Sequence, residues 1–195
     1  MMKEKKTRRW TVVAGALLIQ LALGSVYAFS IFTGPLSNTL GRPSVSFEIL
    51  GIFAVALAVF AITTIFAGRL QDEKGPRTVA TLAGLIYGAS YVLASFFTEN
   101  MPMMYASYGL IGGVGLGLGY VCPLAAAVKW FPEKKGLVSG IAVAGFGAGA
   151  FIFTQIGKWI IIQPNLGLSA SFLFLGLIFM IMIVIGAQLL KNPPR

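Results

Sequence analysis

Six apolar runs, each long enough to cross a bilayer, fill almost the whole chain and leave only short polar connections between them. They extend from Trp10 to Phe32, Phe47 to Ala67, Val79 to Phe97, Met103 to Val128, Leu137 to Gly157 and Leu168 to Leu190. About 20 apolar residues rising ~1.5 Å each match ~30 Å of hydrocarbon, so every run qualifies as a spanning helix. The expected fold is an all-α membrane protein, with residues 1–195 forming one six-helix transmembrane bundle. Composition agrees: 57% hydrophobic residues, 11% charged residues and a mean hydropathy of +0.85 give more apolar surface than a soluble core of this size hides.

The basic residues alternate from side to side. Lys3, Lys5, Lys6, Arg8 and Arg9 precede the first run, Arg69, Lys74 and Arg77 follow the second, Lys129, Lys134 and Lys135 follow the fourth, and Lys191 and Arg195 end the chain. Only Arg42 and Lys158 of the 15 Lys and Arg fall on the opposite side. The positive-inside bias therefore places both termini in the cytoplasm of a multi-pass protein of the plasma (inner) membrane. It also accounts for the +9 formal charge without a nucleic-acid partner. The first run exceeds the 7–15 residues of a signal-peptide core and lacks a clear cleavage site, so it is expected to remain as the first span. One cysteine, Cys122, rules out an intrachain disulfide and reads as a packing residue; with no histidine, no His-based metal site or proton relay is expected, and no cofactor is called for.

Glycine is dense in spans four and five, where Gly113/Gly117 and Gly145/Gly149 have the spacing that lets helix backbones approach closely in lipid. Such faces serve tight packing, or a surface that slides during a transport cycle. Between spans two and three lies Gly68-Arg69-Leu70-Gln71-Asp72-Glu73-Lys74-Gly75-Pro76-Arg77. Gly68 and Gly75 suit a tight reversal, and Pro76 suits the first turn of the next helix. A generic basic turn explains the Lys and Arg but not the order. That order resembles the signature of the major facilitator superfamily, G-x-L-x-D-x-x-G-x-R, matched by Gly68, Leu70, Asp72, Gly75 and Arg77. The resemblance implies that Asp72 helps hold two transporter halves together on the cytoplasmic side. Within this chain alone, its expected partners are Arg69, Lys74 or Arg77.

Further stretches narrow the resemblance. Leu23-Gly24-Ser25-Val26-Tyr27-Ala28-Phe29, Gly113 through Tyr120, Lys129-Trp130-Phe131-Pro132-Glu133-Lys134-Lys135-Gly136 and Ala144 through Gly149 are together similar to the oxalate/formate antiporter family of that superfamily. The likeness implies a carrier of small carboxylates such as oxalate, formate, lactate or pyruvate. It also implies a twelve-span fold of two halves, each made of two inverted three-helix repeats, of which this chain is the N-terminal half. The expected partners are then the lipid bilayer, a small organic anion, and a complementary six-helix half or a second copy of the chain.

On span one, Gln20, Gly24 and Tyr27 follow i, i+4, i+7 spacing and are expected to share a helical face; Tyr120 of span four sits at a depth similar to that of Gln20. Family likeness makes Gln20, Tyr27 and Tyr120 the candidate substrate-binding residues. Packing is the competing role for the tyrosines, and an interhelical hydrogen bond for Gln20. No Lys, Arg, Asp or Glu occupies the central turns of any span, so a carboxylate would meet hydroxyls, an amide and aromatic edges but no cation. In the resembled family the cavity's basic residues come from the second half. An intramembrane enzyme is disfavoured, because no acid, base, nucleophile or metal-ligand set gathers at membrane depth. The alternative to a transporter half is a truncated or split-gene membrane module without transport of its own. The topology predicts that a cysteine at Gln71 escapes membrane-impermeant reagents applied outside intact cells; rapid labelling there would reverse the orientation.

Overall fold

The computed structural model describes residues 2–43 and 46–193; the side chains of Lys3, Lys5, Lys6 and Arg8, and all of Arg195, which enter the charge count, lie outside the described residues. Among the described residues, six helices are long and apolar enough to span a bilayer: α1 Arg9–Leu40, α2 Phe47–Lys74, α3 Pro76–Phe96, α4 Met101–Trp130, α5 Pro132–Ile161 and α6 Gly167–Leu189. Most outrun the apolar stretches that announced them, because helical hydrogen bonding continues past the hydrocarbon into the headgroup region, where charged side chains reach water. Ser46 caps α2 by accepting the Ile49 amide at 3.3 Å, and Asn100 caps α4 by accepting that of Met103 at 3.1 Å.

The segment 68–77 is a correction to its reading as a loop. Helix α2 runs unbroken through Gly68 to Lys74, and the entire reversal into α3 is made by Gly75, whose φ of 83° is open only to glycine without strain. Pro76 then occupies the first turn of α3. Inside this continuous helix Gln71 is buried. A silent cysteine at position 71 would therefore report packing as much as sidedness, and exposed Glu73 is the informative labelling site.

Arg9, Lys129 and Trp130, Glu133 and the Gln188–Lys191 segment meet at one end of the bundle, so α1 leaves this basic end and α4 returns to it. Helix α1 packs on α4, α5 and α6, α4 packs on α1, α2 and α3, and α3 lies along α6. Exchanging the first three helices for the last three leaves these neighbours unchanged while reversing their direction, the relation of two inverted repeats. Between the helices, glycines replace side-chain bulk. A β-carbon on Gly88 would meet the carbonyl oxygen of Gly176 at 2.8 Å and one on Gly176 that of Gly88 at 2.9 Å; Gly15 and Gly186 are reciprocal in the same way at 2.7 and 2.9 Å. Gly113 meets Ala56 O at 2.7 Å and Gly117 meets Phe60 O at 2.9 Å, fastening α4 to α2.

The two sides of α5 separate packing glycines from free ones. A methyl at Gly149 would overlap the main-chain oxygen of Leu21, whereas nothing lies within 4 Å of one at Gly147. Gly149→Ala is expected to destabilise the detergent-solubilised protein by about 1–3 kcal/mol or more, as overpacking against backbone does. Gly147→Ala should be neutral or gain up to about 1 kcal/mol from helix propensity. Thermal unfolding followed by loss of monodisperse protein compares the two; equal stabilities would remove the packing role from Gly149.

Candidate substrate face and signature helix

Helix α1 changes winding at Ser25–Phe29, where a 3-10 turn replaces the α-helix. In an unbroken α-helix, residues seven apart return to nearly one face. The tighter 3-10 winding advances each residue by roughly 20° more, so the Tyr27 side chain is turned by roughly 60° from where an unbroken α-helix would place it. Gln20 is 0% exposed and Tyr27 is 53% exposed. Gln20, Gly24 and Tyr27 all turn toward the Gly145–Phe146 stretch of α5: Gln20 lies beside Gly145, Gly24 packs against the Phe146 backbone and Tyr27 meets the Phe146 ring, but only Tyr27 is exposed.

Tyr27 belongs to an open chain of five aromatic side chains drawn from α1, α2, α4 and α5. Tyr27 meets Phe53 of α2 at 6.2 Å and Phe146 of α5 at 5.7 Å between centroids; Phe146 meets Tyr120 of α4 at 5.4 Å, and Tyr120 meets Phe60 of α2 at 5.4 Å. All four contacts are edge-to-face, the arrangement aromatic quadrupoles prefer. Tyr27 and Tyr120 are thus separated by one ring, that of Phe146. Gln20 lies beneath Tyr120 and donates from Nε2 to its main-chain oxygen at 3.3 Å, while Oε1 is buried without a hydrogen-bond partner. This bond joins the two helices that carry the tyrosines, the interhelical role open to Gln20 from the start. Cys122 is buried, its thiol donating to Leu118 O at 3.2 Å, as a packing residue does.

Phe53, Phe60 and Phe146 escaped sequence reasoning because each looks like lipid-facing bulk. The i, i+7 spacing of Phe53 and Phe60 was the available signal, since it returns both to one face of α2. Among the described residues no group of three His, Cys, Asp or Glu could hold a metal ion.

At the basic end Asp72 reaches across to α4, where its Oδ1 lies 3.2 Å from Lys129 Nζ. This corrects the expected pairing with Arg69, Lys74 or Arg77: helical geometry maintained through Lys74 points Asp72 at the end of α4 instead of folding it back on its own connection. Arg77 donates instead to Gln188 O of α6 at 2.8 Å, and Gln188 donates to Thr81 at 3.2 Å. Arg9 pairs with Glu133 at 3.2 Å and lies over the Phe131 ring, and the Trp130 indole donates to Lys191 O at 2.6 Å. Of the signature residues Gly68, Leu70, Asp72, Gly75 and Arg77, Asp72 thus ties α2 to α4 and Arg77 ties α3 to α6 at this end, while Gly75 makes the turn between them.

The model of the Major Facilitator Superfamily matches residues 13–195. The chain belongs to the major facilitator superfamily. It is 36% identical over 189 residues to the uncharacterised transporter YhjX of Escherichia coli, covering 96% of this chain and 45% of that protein. With the oxalate:formate antiporter of Oxalobacter formigenes it shares 28% identity over 190 residues, 95% of this chain and 43% of the other. Its fold superposes on the inward-open xylose transporter XylE of E. coli with a TM-score of 0.76 at 17% identity, covering 95% of this chain and 48% of that one. The chain thus spans less than half the length of these relatives, and its six helices match about half of the twelve-helix fold.

The Asp72–Lys129 pair is solvent-exposed on both sides, where an ion pair contributes about 0–1 kcal/mol. Asp72→Asn and Lys129→Gln should therefore leave the thermal stability of this chain nearly unchanged. A loss of folded yield on either substitution would assign the pair a folding role.

Proposed function

We propose that this chain is the N-terminal half of a secondary transporter that moves small carboxylates, of the oxalate, formate, lactate or pyruvate type, by alternating access. The observation that carries the reading is the face on which Tyr27 and Tyr120 flank Phe146. Tyrosine hydroxyls can donate to carboxylate oxygens, and the positive edges of aromatic rings favour an anion beside them. The likeness to the oxalate:formate antiporter supports the same class of cargo, as does 30% identity over 192 residues to apicoplast pyruvate carrier 1 of Toxoplasma gondii, covering 78% of this chain and 35% of that protein.

In this proposal Tyr27 and Tyr120 contact the substrate, and Gln20 supports Tyr120 from below. The missing element is positive charge. A carboxylate drawn out of water needs a paired cation, and the central turns of these helices offer none. The complementary six-helix half supplies it, and the rocking of two bundles about the site between them provides alternating access. Both termini and the Asp72 end lie in the cytoplasm of an inner-membrane protein, following the distribution of Lys and Arg.

Two measurements test the reading. The 195-residue chain in liposomes should show no saturable uptake of oxalate, formate, lactate or pyruvate, and uptake should arise when it is joined to a second half bearing a basic cavity residue. In that joined protein, Tyr27→Phe or Tyr120→Phe should weaken carboxylate binding by about 0.5–1.5 kcal/mol, the net worth of one hydrogen bond. Unchanged affinity in both variants and in the double variant would leave the tyrosines with packing alone. Absence of carboxylate transport with every complementary half would favour the module without transport of its own.

A further inference from the structure

The 3-10 turn that exposes Tyr27 begins at the Gly24–Ser25 pair, a pairing at which helices bend. Ser25-Val26-Tyr27-Ala28-Phe29 contains neither glycine nor proline, and Pro35 lies a turn and a half beyond it. A change of helical winding needs an identifiable agent, and inserted side-chain polar groups are one.

We infer that a buried chain of hydroxyls from α1 and α3, with Tyr108 of α4, holds the Ser25–Phe29 turn and thereby sets Tyr27 on the exposed face. Ser25 Oγ lies 2.6 Å from Ala22 O and 3.0 Å from the Tyr87 hydroxyl, which in turn lies 3.4 Å from that of Tyr91. Each hydroxyl has a single proton to give. Ser25 spends its proton on the Ala22 carbonyl, which has none to offer, so Tyr87 must donate to Ser25 and Tyr91 to Tyr87. The chain therefore runs in one direction, from α3 into the backbone of α1 immediately before the turn. A serine bonded back to a carbonyl of the preceding turn is a known source of helix bending.

From the other side, the Tyr108 hydroxyl lies 3.5 Å from Val26 O, at the long limit of a hydrogen bond, and its ring is 4.9 Å from that of Phe29. Tyr108 belongs to Tyr105–Ile111, where α4 itself departs from α-geometry into a π-helix. The irregular stretches of the two tyrosine-bearing helices thus meet in one packed core, and Tyr91 lies between them at 5.2 Å from Tyr108. Ser25, Tyr87, Tyr91 and Tyr108 are all buried, so none contacts a substrate on the exposed face. They are positioning residues that act through Tyr27, and the proposed carboxylate site gives that positioning its purpose.

The test follows the orientation of position 27 directly and uses no substrate. A nitroxide is attached at Tyr27→Cys in a Cys122→Ala background of the whole chain in lipid nanodiscs, and its collision rate with dissolved oxygen is read by power-saturation electron paramagnetic resonance. Tyr87→Phe should shift the equilibrium between exposed and inward orientations of position 27 by about fivefold toward the inward one, the factor set by one net hydrogen bond, and so lower its oxygen accessibility. A label at Phe151, on the exposed side of α5, should be unaffected. Tyr91→Phe, which leaves the Tyr87–Ser25 bond in place, should produce a smaller fall. If Tyr87→Phe does not fold, Ser25→Ala removes that bond together with the one to Ala22 and should give at least as large a fall. Unchanged accessibility at position 27 in a folded variant lacking the bond, or an equal fall at position 151, overturns the inference. Either result leaves the carboxylate reading intact, and a failure to bind carboxylates would leave the positioning role intact.

Discussion

The approach of α1 to α5 is limited by two main-chain oxygens. A β-carbon on Gly149 would overlap Leu21 O, and one on Gly24 would overlap Phe146 O, so each helix presents a glycine to a carbonyl of the other. In lipid there is little hydrophobic gain from bringing two apolar helices together, and close van der Waals contact has to supply the attraction. The reciprocal contact does so with no side chain between the backbones. It also fixes where the ring of Phe146 stands, because the carbonyl that meets Gly24 and the ring that separates Tyr27 from Tyr120 belong to one residue. Packing and the candidate site are therefore set by the same few atoms.

The remaining crossings follow the same rule with different partners. Gly88 and Gly176 join α3 to α6, Gly15 and Gly186 join α1 to α6, and Gly113 and Gly117 join α4 to α2. These contacts involve glycines of α1, α3, α4, α5 and α6, and α2 receives those of α4. Helix α2 accordingly shows the least buried spanning segment, and Ile62, Ile65 and Phe66 are among its exposed residues. Ion pairs contribute little by comparison. Arg9–Glu133, Arg42–Glu48 and Lys129–Asp72 all lie at the ends of the bundle in contact with solvent, where they set register more than stability.

The number of spans, their approximate positions and the lack of a central charge were legible because hydrocarbon imposes a single strong rule on composition. The signature residues Gly68, Leu70, Asp72, Gly75 and Arg77 were legible as a pattern, while their local form was not: glycine weakens helices in water, and Gly68 looked like a turn although only Gly75 makes one. Asp72 was assigned to sequence neighbours because a pairing with Lys129 requires knowing that α2 continues past it. The α-helical arithmetic that put Gln20 and Tyr27 on one face gave no sign of the 3-10 turn between them, nor that one would be buried and the other exposed. Tyr87, Tyr91 and Tyr108 gave no warning of their part in it, since hydroxyls that satisfy one another within a core look, in sequence, like ordinary interfacial aromatics.

Gly75, the single residue between α2 and α3, bears on how the chain enters the membrane. Two spans joined by so short a hinge have no slack with which to reach lipid separately, so the second can hardly wait in water for the first to settle. The pair is suited to partitioning as a prefolded hairpin, with Arg69, Asp72, Glu73, Lys74 and Arg77 crowded at its tip.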